Sequence, residues 1–366
     1  MSITVLILLV LGLALLIVGA EALVRGASRL AAFMGVSPLV IGLTVVAYGT
    51  SSPELAVSFL SNFTDKAAIS VGNIVGSNIC NVLLVLGISA MIAPLIVSQQ
   101  LIRLDVPLMI GVSVLLLFLA LDGELGKLDG ALFLLGSIVY TLFLIYQSRR
   151  KNVVQDEYEQ EYGYHGERSP QQWFLNLGLV GGGFALLVLG SRWLVDGAVT
   201  VAQALGVSDL VIGLTVVAIG TSLPEVATAV TASLRGERDI AVGNVVGSNI
   251  FNIVAVLGIS AIFAPNGIEV SAAAIRFDIP IMIAVAVACL PIFFTGNVID
   301  RWEGFLFAGY YAVYTAYLIL YATDHDVLPI FSTVMLGFVI PITVVTLAIF
   351  TWRSIRARRE GKLNQE

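Results

Sequence analysis

Along this 366-residue chain, apolar residues gather in long blocks, with most polar residues confined to connectors between them. The blocks fall at 3–33, 38–62, 67–96, 104–121, 128–147, 172–204, 209–234, 239–264, 274–296, 302–322 and 329–351. Each reaches the roughly 18 residues a helix needs to cross a hydrocarbon core. The pattern predicts eleven membrane helices, the first and sixth overlong and therefore tilted or projecting past the bilayer. Two blocks carry the same interruption. In GTSSPE, from Gly49, and GTSLPE, from Gly220, a proline and a glutamate stand in mid-span. A carboxylate beside a helix breaker is costly in lipid, and such positions mark working sites.

Composition adds to this picture without changing it. The chain is 58% hydrophobic and 12% charged, a balance that excludes a soluble globular domain. The first block lacks a basic leader and a small-residue cleavage site, so it reads as a retained span. Cys80 and Cys289 lie inside apolar blocks and read as small core residues, with no disulfide framework implied. His165 and His325 fall in polar connectors and read as surface residues.

Charge placement says more than the net charge of −6. With the N-terminus outside and alternating spans, cytoplasmic ends collect fifteen of the nineteen Lys and Arg, including Arg25, Arg103, Arg149, Arg235, Arg301 and the basic tail WRSIRARRE. The other side keeps Lys66, Lys127, Arg192 and Arg276. The positive-inside rule therefore predicts a multi-pass inner (plasma) membrane protein, N-terminus out and C-terminus in the cytoplasm.

The two halves are copies. Gly42–Pro94 and Gly213–Pro265 share 30 identities in 53 ungapped positions, at an offset of 171. IRLDVP at Ile102 matches IRFDIP at Ile275 after a two-residue insertion. Five spans separate each element from its copy, an odd number, so the copies enter the membrane from opposite sides. This predicts an all-α polytopic fold with an inverted repeat of five plus five helices and one additional C-terminal helix. The expected divisions are a first half at 1–147 with its repeat at 42–94, a linker at 148–171, a second half at 172–322 with its repeat at 213–265, and the extra helix and tail at 323–366. The linker's acidic run (Asp156, Glu157, Glu159, Glu161) reads as a solvated charge run, with a regulatory cation site as the alternative.

In GTSSPE, Pro53 has no N–H, so the carbonyl of Gly49 loses its helical partner and the helix kinks or breaks. In lipid a freed carbonyl must line a cavity or meet an ion. Ala47, Thr50, Ser51 and Glu54 share one helix face by their spacing, as do Ala218, Thr221, Ser222 and Glu225, with Pro224 in the place of Pro53. A second motif, GNIVGSNICN from Gly72 and GNVVGSNIFN from Gly243, lays Asn73, Ser77 and Asn81, and Asn244, Ser248 and Asn252, in polar stripes at steps of four. One such stripe could be interhelical glue. Four polar motifs in register across an inverted repeat, two with acids, point instead to an ion site with Glu54 and Glu225 facing each other.

Two carboxylates in a low dielectric repel unless a cation or protons intervene. One Ca²⁺, two Na⁺ or two H⁺ would neutralise the pair, and competition for it is a physical basis for antiport. Oxygen donors without His or Cys disfavour softer metals, and Mg²⁺, which dehydrates reluctantly and demands tight octahedral geometry, suits the set less well than Ca²⁺. Glu21 with Arg25, and Arg192 with Asp196 in the second half, read as structural pairs. Asp105 and Asp278, each two residues before a proline, read as helix N-terminal caps.

The paired G-T-S-x-P-E and G-N-x-x-G-S-N-x-x-N motifs resemble the two repeats of the calcium/cation antiporter superfamily, most closely its prokaryotic sodium/calcium exchanger branch. The resemblance covers the first ten spans. It implies that Glu54 and Glu225 are central Ca²⁺ ligands, with Ala47, Thr50, Ser51, Ser77, Asn81, Ala218, Thr221, Ser222 and Ser248 contributing to Ca²⁺ and Na⁺ sites. It also implies that the first and sixth helices slide against the rest. Asn at 252, where some relatives are similar but carry Asp, looks like the potassium-independent exchangers. The expected function is Na⁺/Ca²⁺ antiport for Ca²⁺ extrusion and cation homeostasis, with Ca²⁺/H⁺ antiport as the alternative. Potassium-dependent exchange, a channel and a membrane-embedded enzyme rank lower. The expected partners are inorganic cations and lipid, with no cofactor and no nucleic acid.

Overall fold

The computed structural model describes residues 3–61, 68–150, 170–206, 215–216, 218–294 and 296–363. Among them nine helices are long and apolar enough to cross a membrane: α1 (Val5–Met34), α4 (Ser70–Ile92), α5 (Leu101–Asp122), α6 (Lys127–Ser148), α7 (Gln171–Ala204), α10 (Arg238–Phe263), α11 (Ala274–Phe294), α12 (Arg301–Ala322) and α13 (Leu328–Ile349). A tenth span is broken into α2 (Pro38–Thr50) and α3 (Ser52–Phe59), bent by 42°. The expected seventh span is present as α8 (Ala218–Thr221) and α9 (Leu223–Leu234). Its beginning, and most of the linker with its acidic run, lie outside the described residues.

The fold is the predicted all-α inverted repeat of five plus five helices with an extra one at the C-terminus. Two small β clips were not foreseen. Strands β1 (Leu95–Ile96) and β4 (Val298–Ile299) pair antiparallel, as do β2 (Glu124–Leu125) and β3 (Ile268–Glu269). Each clip joins a connector of one half to a connector of the other.

The repeat reaches into α1 and α7 through a feature that sequence reading overlooked. Gly12, Gly19 and Gly26 recur as Gly183, Gly190 and Gly197 at the same offset of 171. A Cβ at Gly183 would lie 2.7 Å from the backbone nitrogen of Leu23, and one at Gly190 would lie 2.7 Å from the carbonyl oxygen of Gly12. The two helices therefore run antiparallel with their backbones touching. A spacing of seven keeps the glycines on one shallow-crossing seam, as small residues do where helices approach closely in lipid.

The centre belongs to α4 and α10. Their spans are 78% and 89% buried, against 28% for α1 and 33% for α7. Where the two cross, equivalent residues meet: Asn78 Nδ2 donates to the carbonyl of Asn249 (3.1 Å), and Asn249 Nδ2 donates to the carbonyl of Asn78 (3.2 Å). Such reciprocal contacts between antiparallel copies put a pseudo-twofold axis between these asparagines. Both helices then widen into π-helical turns, at Asn81–Leu86 and Asn252–Leu257, again 171 apart. A wide turn of this kind is uncommon and concentrates at functional positions.

Candidate functional site

Each broken helix stops at a serine. Ser51 (φ −78°, ψ 6°) and Ser222 (φ −88°, ψ 4°) leave the helical region, and a new helix starts at once with its proline in the first turn. The proline thus opens a helix, where its missing N–H costs nothing, instead of kinking a continuous one. Glu54 and Glu225 follow in the first turns of α3 and α9, near the positive ends of those helices. Both side chains are fully buried.

The freed carbonyl does not meet the expected fate in the second repeat. Gly220, four residues before Pro224, accepts a hydrogen bond from Ser191 Oγ of α7 at 2.6 Å. A hydroxyl from a neighbouring helix thus satisfies the orphaned oxygen. The carbonyl of Ala47 takes the N–H of Ser51 at 3.0 Å and, more weakly, the Thr50 hydroxyl at 3.4 Å.

Around the glutamates the sequence-predicted residues converge from both repeats. Ser77 Oγ donates to Glu54 Oε1 (3.2 Å). Thr50 Oγ1 lies 3.1 Å from Asn244 Oδ1, to which it donates, and 3.3 Å from Ser248 Oγ, so it bridges to the other repeat. Thr221 lies against the Glu54 carboxyl, Thr50 against Glu225, and the two carboxylates are close enough to interact electrostatically. Asn73 is only half-buried and turns from the centre: its Nδ2 donates to the Glu54 carbonyl and to Ser58 Oγ. Ala47 is fully buried, and Ala218 opens α8. Pro53 and Pro224 shape the chain without facing the site chemically.

Asn81 and Asn252 are fully buried and held from behind. Asn81 Nδ2 donates to Asn249 Oδ1 (3.1 Å), and Asn252 Nδ2 donates to Asn78 Oδ1 (3.0 Å). Asn78 and Asn249 stand in the repeated motif but were given no part in the site, because they sit one residue off the step-of-four stripe. Their signal was available: each is a further polar residue inside a span, twice, at the common offset. Thr228, a turn beyond Glu225, was missed because its counterpart is Val57.

Several buried polar atoms here have no hydrogen-bond partner in the protein. They are Glu54 Oε2, both oxygens of Glu225, Ser51 Oγ, Ser222 Oγ, Thr228 Oγ1, Asn81 Oδ1, Asn252 Oδ1 and, as the one donor nitrogen, Asn244 Nδ2. Leaving so many polar atoms unsatisfied would cost about 1–3 kcal/mol apiece. Nearly all are oxygens, and two residues are acids. Such a set suits hard cations, whose ligands are carboxylate, amide and hydroxyl oxygens.

Other polar residues in the spans have plainer roles. Glu21 pairs with Arg25 at 2.8 Å, as expected, and also with Arg235 at the end of α9. Asp105 is not an N-terminal cap. The chain enters α5 through a π turn at Leu101–Asp105, so the local N–H groups are already used. Its carboxylate accepts instead from Tyr140 Oη (2.9 Å) and Gln100 (3.4 Å), and Asp278 accepts from Tyr314 Oη (3.4 Å).

Comparison with known proteins agrees with this geometry. The family model for the sodium/calcium exchanger protein matches residues 4–146 and 175–320, one stretch per half. The chain is 35% identical over 343 residues to the sodium/calcium exchanger MaX1 of Methanosarcina acetivorans, covering 85% of this chain and 97% of that one. It is 38% identical over 286 residues to the inner membrane protein YrbG of Escherichia coli, covering 77% and 87%. A structure of the sodium-calcium exchanger NCX_Mj superposes with a TM-score of 0.74 at 31% identity, spanning 87% of this chain and 100% of that one. Both family stretches end before α13, which stands outside the shared core. The chain belongs to the sodium/calcium exchanger protein family.

Proposed function

We propose that the protein is a secondary antiporter that exchanges Na⁺ for Ca²⁺ by alternating access, with Glu54 and Glu225 as central ligands. The observation that carries this reading is a set of buried oxygens from both repeats that have no hydrogen-bond partner in the protein, those of the two carboxylates among them. Thr50, Ser51, Ser77 and Asn81 from one repeat, and Thr221, Ser222, Ser248 and Asn252 from the other, complete the cage, with the carbonyls of Ala47 and Ala218 at its ends. Asn73 and Asn244 support it from the flanks. Membership of the family, and the likeness to the sodium/calcium exchangers MaX1 and NCX_Mj, favour Na⁺ as the coupling ion.

Charge explains the coupling. The bare pair of carboxylates carries two negative charges, and reorienting it across lipid is prohibitive. One Ca²⁺ neutralises it, as do two monovalent cations. Only a loaded site changes sides, so net Ca²⁺ movement requires counter-movement of the competitor. If more than two Na⁺ move per Ca²⁺, each net charge contributes ~2.3 kcal/mol per 100 mV. An inward Na⁺ gradient then drives Ca²⁺ out of the cell.

Reconstituted vesicles test this. We expect ⁴⁵Ca²⁺ uptake when the lumen holds Na⁺, none with K⁺ or an acid lumen, and a fall to background in Glu54→Gln and Glu225→Gln. Uptake driven by the acid lumen alone would make the protein a Ca²⁺/H⁺ antiporter on the same scaffold.

A further inference from the structure

Asn81 and Asn252 are useful to a cation only if their amides point the oxygen inward, because an inward NH₂ would repel it. An amide can be turned over with little change in shape, so something must fix the choice. We propose that Asn78 and Asn249 are positioning residues that set this orientation. The inference rests on the ion-binding reading above and extends it to two residues outside the ligand set.

The orientation follows from acceptors that cannot be confused with donors. Asn78 Nδ2 is anchored on the backbone carbonyl of Asn249, and Asn249 Nδ2 on that of Asn78. A carbonyl only accepts, so both NH₂ groups are committed. Each has a methionine sulfur as second neighbour, Met282 for Asn78 and Met109 for Asn249, at 3.6 Å. The opposite side of each amide must then be Oδ1, which needs a donor. Asn252 Nδ2 supplies it to Asn78, and Asn81 Nδ2 supplies it to Asn249. With their nitrogens spoken for, Asn81 and Asn252 turn Oδ1 the other way, and these two buried oxygens have no partner in the protein. Every link is doubled by the pseudo-twofold axis. The carbonyls of α4 and α10 thus dictate, through two relays, the polarity of two groups in the cage.

The same relay reads the chemistry of positions 81 and 252. It presents an acceptor to each and so matches an amide. A carboxylate there would set oxygen against Oδ1. The device therefore selects neutral ligands at both places and holds the cage at two negative charges.

A double-mutant cycle tests this. Purified full-length protein is titrated with Ca²⁺ and Na⁺, reading cation-induced thermal stabilisation, and ⁴⁵Ca²⁺ exchange is measured in vesicles. Asn249→Ala frees the Asn81 amide to turn, and we expect Ca²⁺ affinity to fall about tenfold, the order expected for one lost ligand bond. Asn81→Asp presents an oxygen whichever way it turns, so Asn249→Ala made on the Asn81→Asp background should cost no affinity. Asn78→Ala with and without Asn252→Asp is the mirror cycle and covers a variant that fails to fold. A purely packing role for Asn249 predicts the same loss on both backgrounds, and that additive result overturns the proposal. So does unchanged affinity in the single variants. Wild-type protein stabilised by neither cation would overturn the ion-binding reading itself, a distinct outcome from failure of the relay.

Discussion

Ser191 shows how far the chemistry of the broken helix extends. It lies in α7, outside both repeated motifs, yet its hydroxyl takes the one carbonyl that Pro224 strips of a helical partner. The first repeat has Ala20 at the equivalent place, so the two breaks are stabilised differently. There Gly49 instead faces the ring of Phe184, so tightly that an added Cβ would fall inside it. Ser191→Ala leaves the Gly220 oxygen buried without a donor, at a cost of about 1–3 kcal/mol. We expect a lower melting temperature in detergent, recovered in part by Ser191→Thr, which keeps the hydroxyl. The proline and the glutamate of this site were legible in sequence because each is an intrinsic misfit in lipid. Ser191 was not: a serine in a span is common, and its partner is distant in the chain. Asn78 and Asn249 lay between these cases, conspicuous as polar residues but silent about their role until the carbonyls they anchor on could be seen.

At the scale of elements, the apolar blocks predicted eleven helical spans and the 171-residue offset the inverted relation of ten of them, because length and repetition survive without tertiary information. The β clips were invisible, since two-residue strands carry no periodic signal. The π turns were equally hidden, because an extra residue in a turn leaves the apolar pattern intact. The glycine seam between α1 and α7 was present in the sequence and is explained only by the contact. It carries a sharp expectation. Gly183→Ala drives a Cβ against backbone atoms of Leu23 and Gly19, at 2.7 and 2.8 Å, which no rotamer change relieves. The helices must part, at a cost of about 1–3 kcal/mol. Gly181, one turn-face away, meets nothing within 4 Å, so Gly181→Ala gains helix propensity, up to about 1 kcal/mol. Opposite shifts in melting temperature for two Gly→Ala changes on one helix would establish the seam. Equal shifts would remove it.

For the whole molecule the instructive part is α13, which the five-plus-five repeat does not need. None of its spanning window is buried, and the family match stops at residue 320. A side-chain hydrogen bond ties it to the body, from Tyr310 Oη to Thr343 Oγ1 at 2.6 Å. Between α11, α12 and α13 lies an apolar cavity of about 630 Å³, lined by Ile281, Val285, Phe307, Met335 and Leu336 among others. A helix that stands off across such a gap contributes little close packing, and lipid chains, which are equally apolar, can take its place against α11 and α12. The proposed cage draws its residues from α2, α3, α4, α8, α9 and α10 and takes none from α13. Ending the chain after Asp324 should therefore leave the rest folded. Uptake of ⁴⁵Ca²⁺ should stay within about twofold of the full chain, since the lost contacts are of the weakly stabilising surface kind. Loss of uptake in a truncated protein that still elutes as a single species would give α13 a part in transport. Retained uptake would confine the machine to the ten helices that the repeat defines, with α13 as an appended anchor.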